Sequence, residues 1–315
     1  MPKLEFVKMH GCGNDYIYVF TDNLSLADPG ALARRLSDRR FGIGGDGLIM
    51  LTPSARADVK MRMYNADGSR GEMCGNGIRC LARLHYESSD TRANPIRVET
   101  DCGIKSIRLG FDSHGRPCEA TVDMGEPILE GRAIPVDKDG WVIDFPLEVA
   151  GRDWRITAVS MGNPHCVVFV KDDTIFNLDD PEFAKLGRQF EHHPFFPRHV
   201  NTEFILPVAR DRLRMRVWER GSGETLACGT GACAALVAAV LTGHADRRAV
   251  VSLRGGNLEI EWREQVDKQM AAASDEERRA GDALFQPSAW NAVFMTGEAV
   301  EVFRGTIDLR DDEVA

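Results

Sequence analysis

The chain has 315 residues, a net charge of -9 and an ordinary composition, 43% hydrophobic and 28% charged. The length suggests two domains, each able to bury its own core. The lack of a basic excess excludes nucleic acid and anionic membrane surfaces as expected partners. The longest apolar run, 232–242, is too short to span a bilayer. With no signal-peptide core at the start, a soluble cytoplasmic protein is expected. Eight cysteines are too few for a disulfide scaffold, and none forms a Cys-x-x-Cys pair, so neither bridges nor a zinc ribbon are expected.

In chain order, 4–10 and 16–20 read as strands around a tight turn at 11–15. Asp28 and Pro29 open a helix through Leu36. The Gly-rich segment 41–51 lacks the Lys-Ser/Thr ending of a phosphate loop, so it reads as a close backbone approach entering a strand. A strand at 58–65 leads through a Gly-rich loop to Cys74 and then a helix. Strands follow at 96–100, 104–109 and 120–124. Beyond residue 125, strands at 141–145 and 154–161 precede Gly-Asn-Pro-His at 162–165. A helix is expected at 181–190 and a surface loop at 192–197. His192 and His193 could bind a metal, but the pair reads as a surface loop without a third ligand, and no metal site is expected. Strands at 201–205 and 213–219 lead to Cys228. The helix after it is apolar on every face and therefore belongs in a core. Strands at 250–253, 258–262 and 291–295 come next, with 264–289 read as a solvated helical excursion. Segments 300–303 and 306–309 read as a final hairpin. The expected fold is α/β (α+β) and strand-rich, with one buried helix per half. Residues 1–124 plus 299–315 form the half carrying Cys74, and 125–298 the half carrying Cys228.

One stretch occurs twice. Residues 63–80 and 217–233 align without a gap, so that Tyr64 falls on Trp218, Asn65 on Glu219, Cys74 on Cys228, Gly75 on Gly229 and Gly77 on Gly231. Residues 10–20 resemble 160–170, with Asn14 on Asn163, at nearly the same distance upstream of the cysteine. Two matched segments in one order argue for a duplicated domain. Such a fold can close so that Cys74 and Cys228 reach one site from opposite sides.

The chemistry follows from the helix start. A helix N-terminus presents unpaired N–H groups and positive partial charge, which suits a carboxylate and lowers a thiol pKa towards neutrality. Glycines at +1 and +3 let a ligand approach the backbone. Two such elements supply a base on one face of a carbon and an acid on the other, as inversion of a stereocentre requires. Around them His165 and Glu219 are candidates to tune a thiol, or else structural. Arg220 suits a carboxylate, and Asn14, Asn65, Asn163 and Asn201 suit the polar groups of a zwitterion or are ordinary turn residues. Cys12, Cys80, Cys102, Cys118, Cys166 and Cys233 read as structural.

The strings at 9–16, 65–77, 162–165, 201–204 and 219–231 resemble the diaminopimelate epimerase family along nearly the whole chain. The resemblance implies pyridoxal-independent interconversion of LL- and meso-diaminopimelate without a cofactor. It implies two pseudo-symmetric domains, each a β-barrel-like sheet around a central helix, commonly in a homodimer. Cys74 and Cys228 would be the acid/base thiols, with His165 and Glu219 adjusting them. Gly75, Asn76, Gly229 and Thr230 would hold the reacting carboxylate. Asn14, Asn65, Asn163, Asn201, Glu219 and Arg220 would hold the rest of the small amino-acid substrate. Two departures stand out: Gly47, where some members have Gln, and the long excursion at 264–289. The nearest rival is a proline or hydroxyproline epimerase. Two more distant ones are a Cys/His hydrolase using one thiol and a binding protein that needs neither.

Overall fold

Side-chain alternation sets most of the strands: in Val59–Asn65, Val59, Met61 and Met63 are buried while Lys60 and Arg62 turn outward. The computed structural model describes residues 2–21, 26–263 and 291–314. The segment expected to form an excursion, 264–289, lies outside them.

The chain divides into two compact units, 1–122 with 296–315, and 123–295. In the first unit the order is β1 (Lys3–Gly11), β2 (Asn14–Phe20), α1 (Pro29–Ser37), β3 (Gly47–Thr52), β4 (Val59–Asn65), β5 (Arg70–Gly71), α2 (Gly75–Ser88), β6 (Ile96–Thr100), β7 (Gly103–Phe111) and β8 (Pro117–Gly125). The second contains β9 (Phe145–Val149), β10 (Arg152–Ser160), β11 (Pro164–Phe169), α3 (Asp180–Glu191), β12 (Asn201–Ala209), β13 (Arg212–Glu219), β14 (Gly223–Glu224), α4 (Gly229–Leu241), β15 (Arg248–Leu253) and β16 (Gly256–Trp262). The chain leaves the second unit within β17 (Val293–Glu298), and β18 (Val300–Asp308) returns to pair antiparallel with β1.

Both units repeat one connectivity. β1–β2 and β10–β11 are antiparallel hairpins. β2–β3 and β11–β12 are parallel, joined across α1 and α3. β3–β4–β5 and β12–β13–β14 run antiparallel. β4–β6 and β13–β15 are parallel, joined across α2 and α4. The shorter helices have ordinary start signals: Asp28 caps α1 by accepting from the Ala31 N–H, and Asp179 caps α3 by accepting from Glu182. The β1–β2 turn is made by Cys12 and Gly13, with φ of 53° and 76°, the left-handed pair that a two-residue hairpin needs.

α2 and α4 are the central helices, each lying against six strands of its own unit. α4 is buried from Gly231 through Ala239 on every side, as its all-apolar sequence requires. The first unit packs Leu4, Ile17, Leu32, Leu36, Leu48 and Tyr64 together. The second has an aromatic core of Trp154, Phe183, Phe190, Phe204 and Trp218, with rings meeting edge-on.

Two local expectations are corrected. Residues 141–145 do not form a strand. Trp141 makes a single bridge to Glu130, Asp144 adopts a φ of 47°, and the strand starts at Phe145. The expected hairpin at 300–309 is instead one continuous strand, Val300–Asp308. Gly305 reads as a turn in sequence. It sits opposite Phe6, and a Cβ there would lie 2.7 Å from that ring, so the glycine makes room for an aromatic face.

Candidate active site

In the first unit β4 and β5 deliver the chain to Cys74, the N-cap of α2, with extended dihedrals of -128° and 121°. Its Sγ accepts from the Gly77 N–H at 3.4 Å, and its S–H donates to Asn14 Oδ1 at 3.1 Å. The amide of Asn14 is turned by Asp46, whose Oδ2 accepts from Asn14 Nδ2 at 2.7 Å and from the Asp15 N–H at 3.1 Å. Asp46 is held by Arg39 at 2.8 Å, and Arg39 also clamps Asp15, which Lys8 meets at 2.6 Å. Lys8 in turn donates to the Gly44 carbonyl. Burial pushes the Asp15 carboxyl up, but the bonds and charges of Arg39 and Lys8 outweigh it and hold the group below its usual range. The Gly-rich segment 41–51 therefore supplies the carboxylate that aims Asn14 at the thiol.

Tyr16, Gly47 and Asn65 occupy one cross-strand row. A Cβ at Gly47 would lie 2.2 Å from the Tyr64 carbonyl oxygen, so this glycine lets β3 lie close against the backbone of β4. Tyr16 is buried against Cys74 and Asn14. Burial, and then the neighbouring sulfur, raise its phenol well above the ordinary value and keep it neutral. Asn65 uses its side chain to bond Ser69 Oγ at 3.0 Å. Asn76 is 2% exposed, and its Oδ1 has no partner among the described residues.

In the second unit β13 and β14 deliver Cys228 to the N-cap of α4 in matching dihedrals, -121° and 111°. Its Sγ lies 3.5 Å from Thr230 Oγ1. The expected fall of a thiol pKa at a helix start is not met here. Burial, then the charges of Glu219 and Glu203, push Cys228 well above the usual thiol value, so it rests as a protonated acid. Burial also raises Glu219, against the bond it accepts from Thr225 Oγ1.

Behind Cys228 stands a buried pair. His165 Nδ1 and Glu203 Oε1 lie 2.7 Å apart, both side chains fully buried, and His165 Nε2 lies 3.0 Å from Asn163 Oδ1. Glu203 Oε2 has no partner among the described residues. Glu203 Oε1 presses on the first turn of α4, where a Cβ at Gly231 would come within 2.6 Å of it. Asn201 is spent on the frame: its Nδ2 donates to the Pro164 carbonyl and its Oδ1 accepts from the Arg220 N–H, both at 2.9 Å. The exposed Arg220 guanidinium donates to the Arg198 carbonyl at 3.0 Å.

The fold thus gathers Asn14, Gly75 and Asn76 around Cys74, and His165, Asn163, Glu219, Gly229 and Thr230 around Cys228. In the first unit Asn65 ends β4, and in the second Asn201 opens β12 and meets Arg220 in the turn after β13. Three neighbours of these thiols were not singled out from sequence: Asp46, Tyr16 and Glu203. Each lay inside or beside a motif already noticed, but acidic or phenolic side chains on strands carry no signal of what they face.

The sequence model of diaminopimelate epimerases matches residues 6–130 and 157–276. The chain belongs to the diaminopimelate epimerase family. Relatives called diaminopimelate epimerase include one from Acetivibrio thermocellus, 48% identical over 98% of this chain and 100% of the relative, and one from Moorella thermoacetica, 49% identical over 97% and 100%. Among solved structures, a phenazine biosynthesis protein of the PhzF family from Bacillus anthracis superposes with a TM-score of 0.64 at 16% identity, covering 98% of this chain and 100% of the other. A hydroxyproline epimerase from Agrobacterium vitis superposes at 0.60 and 14%, covering 98% and 91%. At those identities the structural likeness establishes the mixed α+β fold alone, which the diaminopimelate epimerase family shares. No helix among the described residues is long and apolar enough to cross a membrane.

Proposed function

We propose that the protein is a cofactor-independent epimerase that interconverts LL-2,6-diaminopimelate and meso-diaminopimelate. The observation that carries the reading is the pair of cysteines, Cys74 and Cys228, each the N-cap of a central helix in two units of one connectivity. In this reading one sulfur, as thiolate, takes the α-proton, and the other, as thiol, delivers a proton to the opposite face. One C–H bond breaks and one forms, and the two cysteines exchange protonation states.

The α-proton of an ammonium carboxylate is weakly acidic, so charge developing on the carboxylate needs stabilisation. First-turn N–H groups at Gly75–Asn76 and Gly229–Thr230 supply it as preorganised donors. Tyr16 and the Asn14–Asp46 pair set the environment of Cys74. The Glu203–His165 pair and Glu219 set that of Cys228 and favour its protonated form. In the direction where Cys228 acts as base, its proton must first be lost against that bias. Asn65, Asn163, Asn201, Glu219 and Arg220 are assigned to the remaining polar groups, including the distal centre. The reading includes a role in lysine and cell-wall precursor synthesis, a cytoplasmic location and a homodimer.

The test is wash-in of solvent deuterium. Purified protein incubated with LL-diaminopimelate in heavy water should, in the first turnovers, place one deuteron at the inverted α-carbon of the meso product and none at the other. Inversion without solvent exchange at that carbon, or no inversion, would overturn the assignment. Proline and hydroxyproline serve as the competing substrates, and turnover of either at a comparable rate would favour the rival class.

A further inference from the structure

We propose that Glu191, His192 and His199 form a binding site for one divalent transition-metal ion, beside the 219–221 turn. The expectation of a plain surface loop at 192–197 rested on the absence of a third ligand. The fold supplies one. His193 turns aside to accept from the Phe195 N–H, whereas His199, beyond the loop, comes back to His192. The two Nδ1 atoms lie 2.8 Å apart with rings nearly perpendicular, and His199 Nδ1 is 3.9 Å from Glu191 Oε1. One ligand atom from each of the three residues falls within 4.8 Å of the other two. Metal–nitrogen and metal–oxygen bonds of ~2.0–2.2 Å place adjacent donors roughly 3.0–3.5 Å apart, so the two sides at 2.8 and 3.9 Å lie on either side of the need and small side-chain rotations would close the triangle.

The backbone is committed to this arrangement. His192 closes α3 as its C-cap, and His199 sits at φ 60°, a conformation uncommon for a residue with a Cβ. Glu191 is buried and already oriented: its Oε2 accepts from Trp218 Nε1 at 2.7 Å and its Oε1 from the Gly221 N–H at 2.8 Å. Each carboxylate oxygen keeps a further lone pair. Both imidazoles are exposed, so an ion can enter. Two imidazoles and one carboxylate with open positions suit Zn²⁺, Co²⁺ or Ni²⁺, and hard oxygen-seeking cations poorly. On binding, the imidazole that donates in the pair moves its proton from Nδ1 to Nε2 by way of solvent, which frees both Nδ1 lone pairs for the ion with no net proton released.

The site reaches the neighbouring turn by two short paths. Glu191 holds the Gly221 N–H, and Arg198, beside His199, holds the Arg220 guanidinium. An ion fixing Glu191 and His199 therefore stiffens 219–221, whatever the reaction.

The experiment titrates the reduced full-length protein and its C74A/C228A variant with Co²⁺. Expected are one equivalent bound in both, weak visible d–d bands without an intense sulfur-to-metal charge-transfer band, and affinity at least about tenfold lower in His192→Gln and His199→Gln. Hydrogen exchange at 219–223 should slow on adding Co²⁺ to the parent protein but not to His199→Gln. Circular dichroism without metal checks that each variant is folded. No bound Co²⁺ in the C74A/C228A variant, or equal affinity in the folded histidine variants, would leave a hydrogen-bonded His pair and overturn the site. Unchanged exchange at 219–223 despite binding would overturn the link to the turn.

Discussion

Asp46 reaches Cys74 through Asn14, and that makes it a sharp probe of the first unit. A hydrogen bond to a charged group contributes ~1.5–3 kcal/mol, and each 1.4 kcal/mol is about tenfold in rate. Asp46→Ala should therefore lower kcat/KM for epimerisation by about tenfold or more, mainly in kcat, while circular dichroism stays unchanged. An unaltered kcat would mean that Asn14 is aimed by something else. The two sulfurs themselves carry more. Cys74→Ala or Cys228→Ala should cost roughly 10²–10⁴-fold or all of the activity, as loss of a positioned acid or base does, with the fold retained. In the second unit Glu219 raises Cys228 by its charge. Glu219→Gln should then shift the pH profile of Cys228 alkylation to lower pH. A profile that stays put or moves up would show that the carboxylate is not what biases this thiol.

At the level of elements, α3 is seated on β13 around Trp218, and at Gly187 the fit has no slack. A Cβ at Gly187 would lie 2.3 Å from Trp218 Cδ2, and the indole is pinned by Glu191. Gly187→Ala should cost ~1–3 kcal/mol as overpacking, read as a lower urea midpoint at unchanged slope. The helix gain from replacing glycine is at most about 1 kcal/mol and cannot offset it. Tyr64, which aligns with Trp218 in the repeat, packs in the core beside α1. The same crossover helix thus covers the same strand end in both units with different aromatic chemistry.

Across the whole molecule, buried acids make stability depend on alkaline pH. Burial raises Cys80 from the ordinary thiol value of 9.0 to about 11, and Cys166 and Cys228 well above that ordinary value. Below about pH 9 both folded and unfolded chains keep these protons, and the contribution is complete. Above it the unfolded chain releases them while the folded one does not, so stability is lost as pH rises towards about 11. Thermal unfolding under reductant should show Tm falling through that window, and a flat Tm would count against the burial. The two-thiol proposal also predicts that mild oxidation links Cys74 to Cys228 and abolishes activity until reductant returns. Peptide mapping that finds each only in other bridges would oppose it.

What the amino acids determine alone is local and periodic. Strand alternation, the Asp28 helix start, the all-apolar α4 and the doubled Cys-Gly-x-Gly are readable because each depends on residues a few positions apart. Tertiary structure decides whatever depends on neighbours distant in sequence. Gly305 reads as a turn until Phe6 crosses it. His192 reads as half of a His-His pair until the fold turns His193 aside and brings His199 back to it beside Glu191. Cys228 reads as an acidified thiol until burial and two carboxylates outweigh the helix start. Asp46 and Glu203 show nothing of what they face until β3 and β12 take their places. Propensity and pattern act along the chain, whereas burial, charge and hydrogen bonding act through space, and folding alone sets those distances.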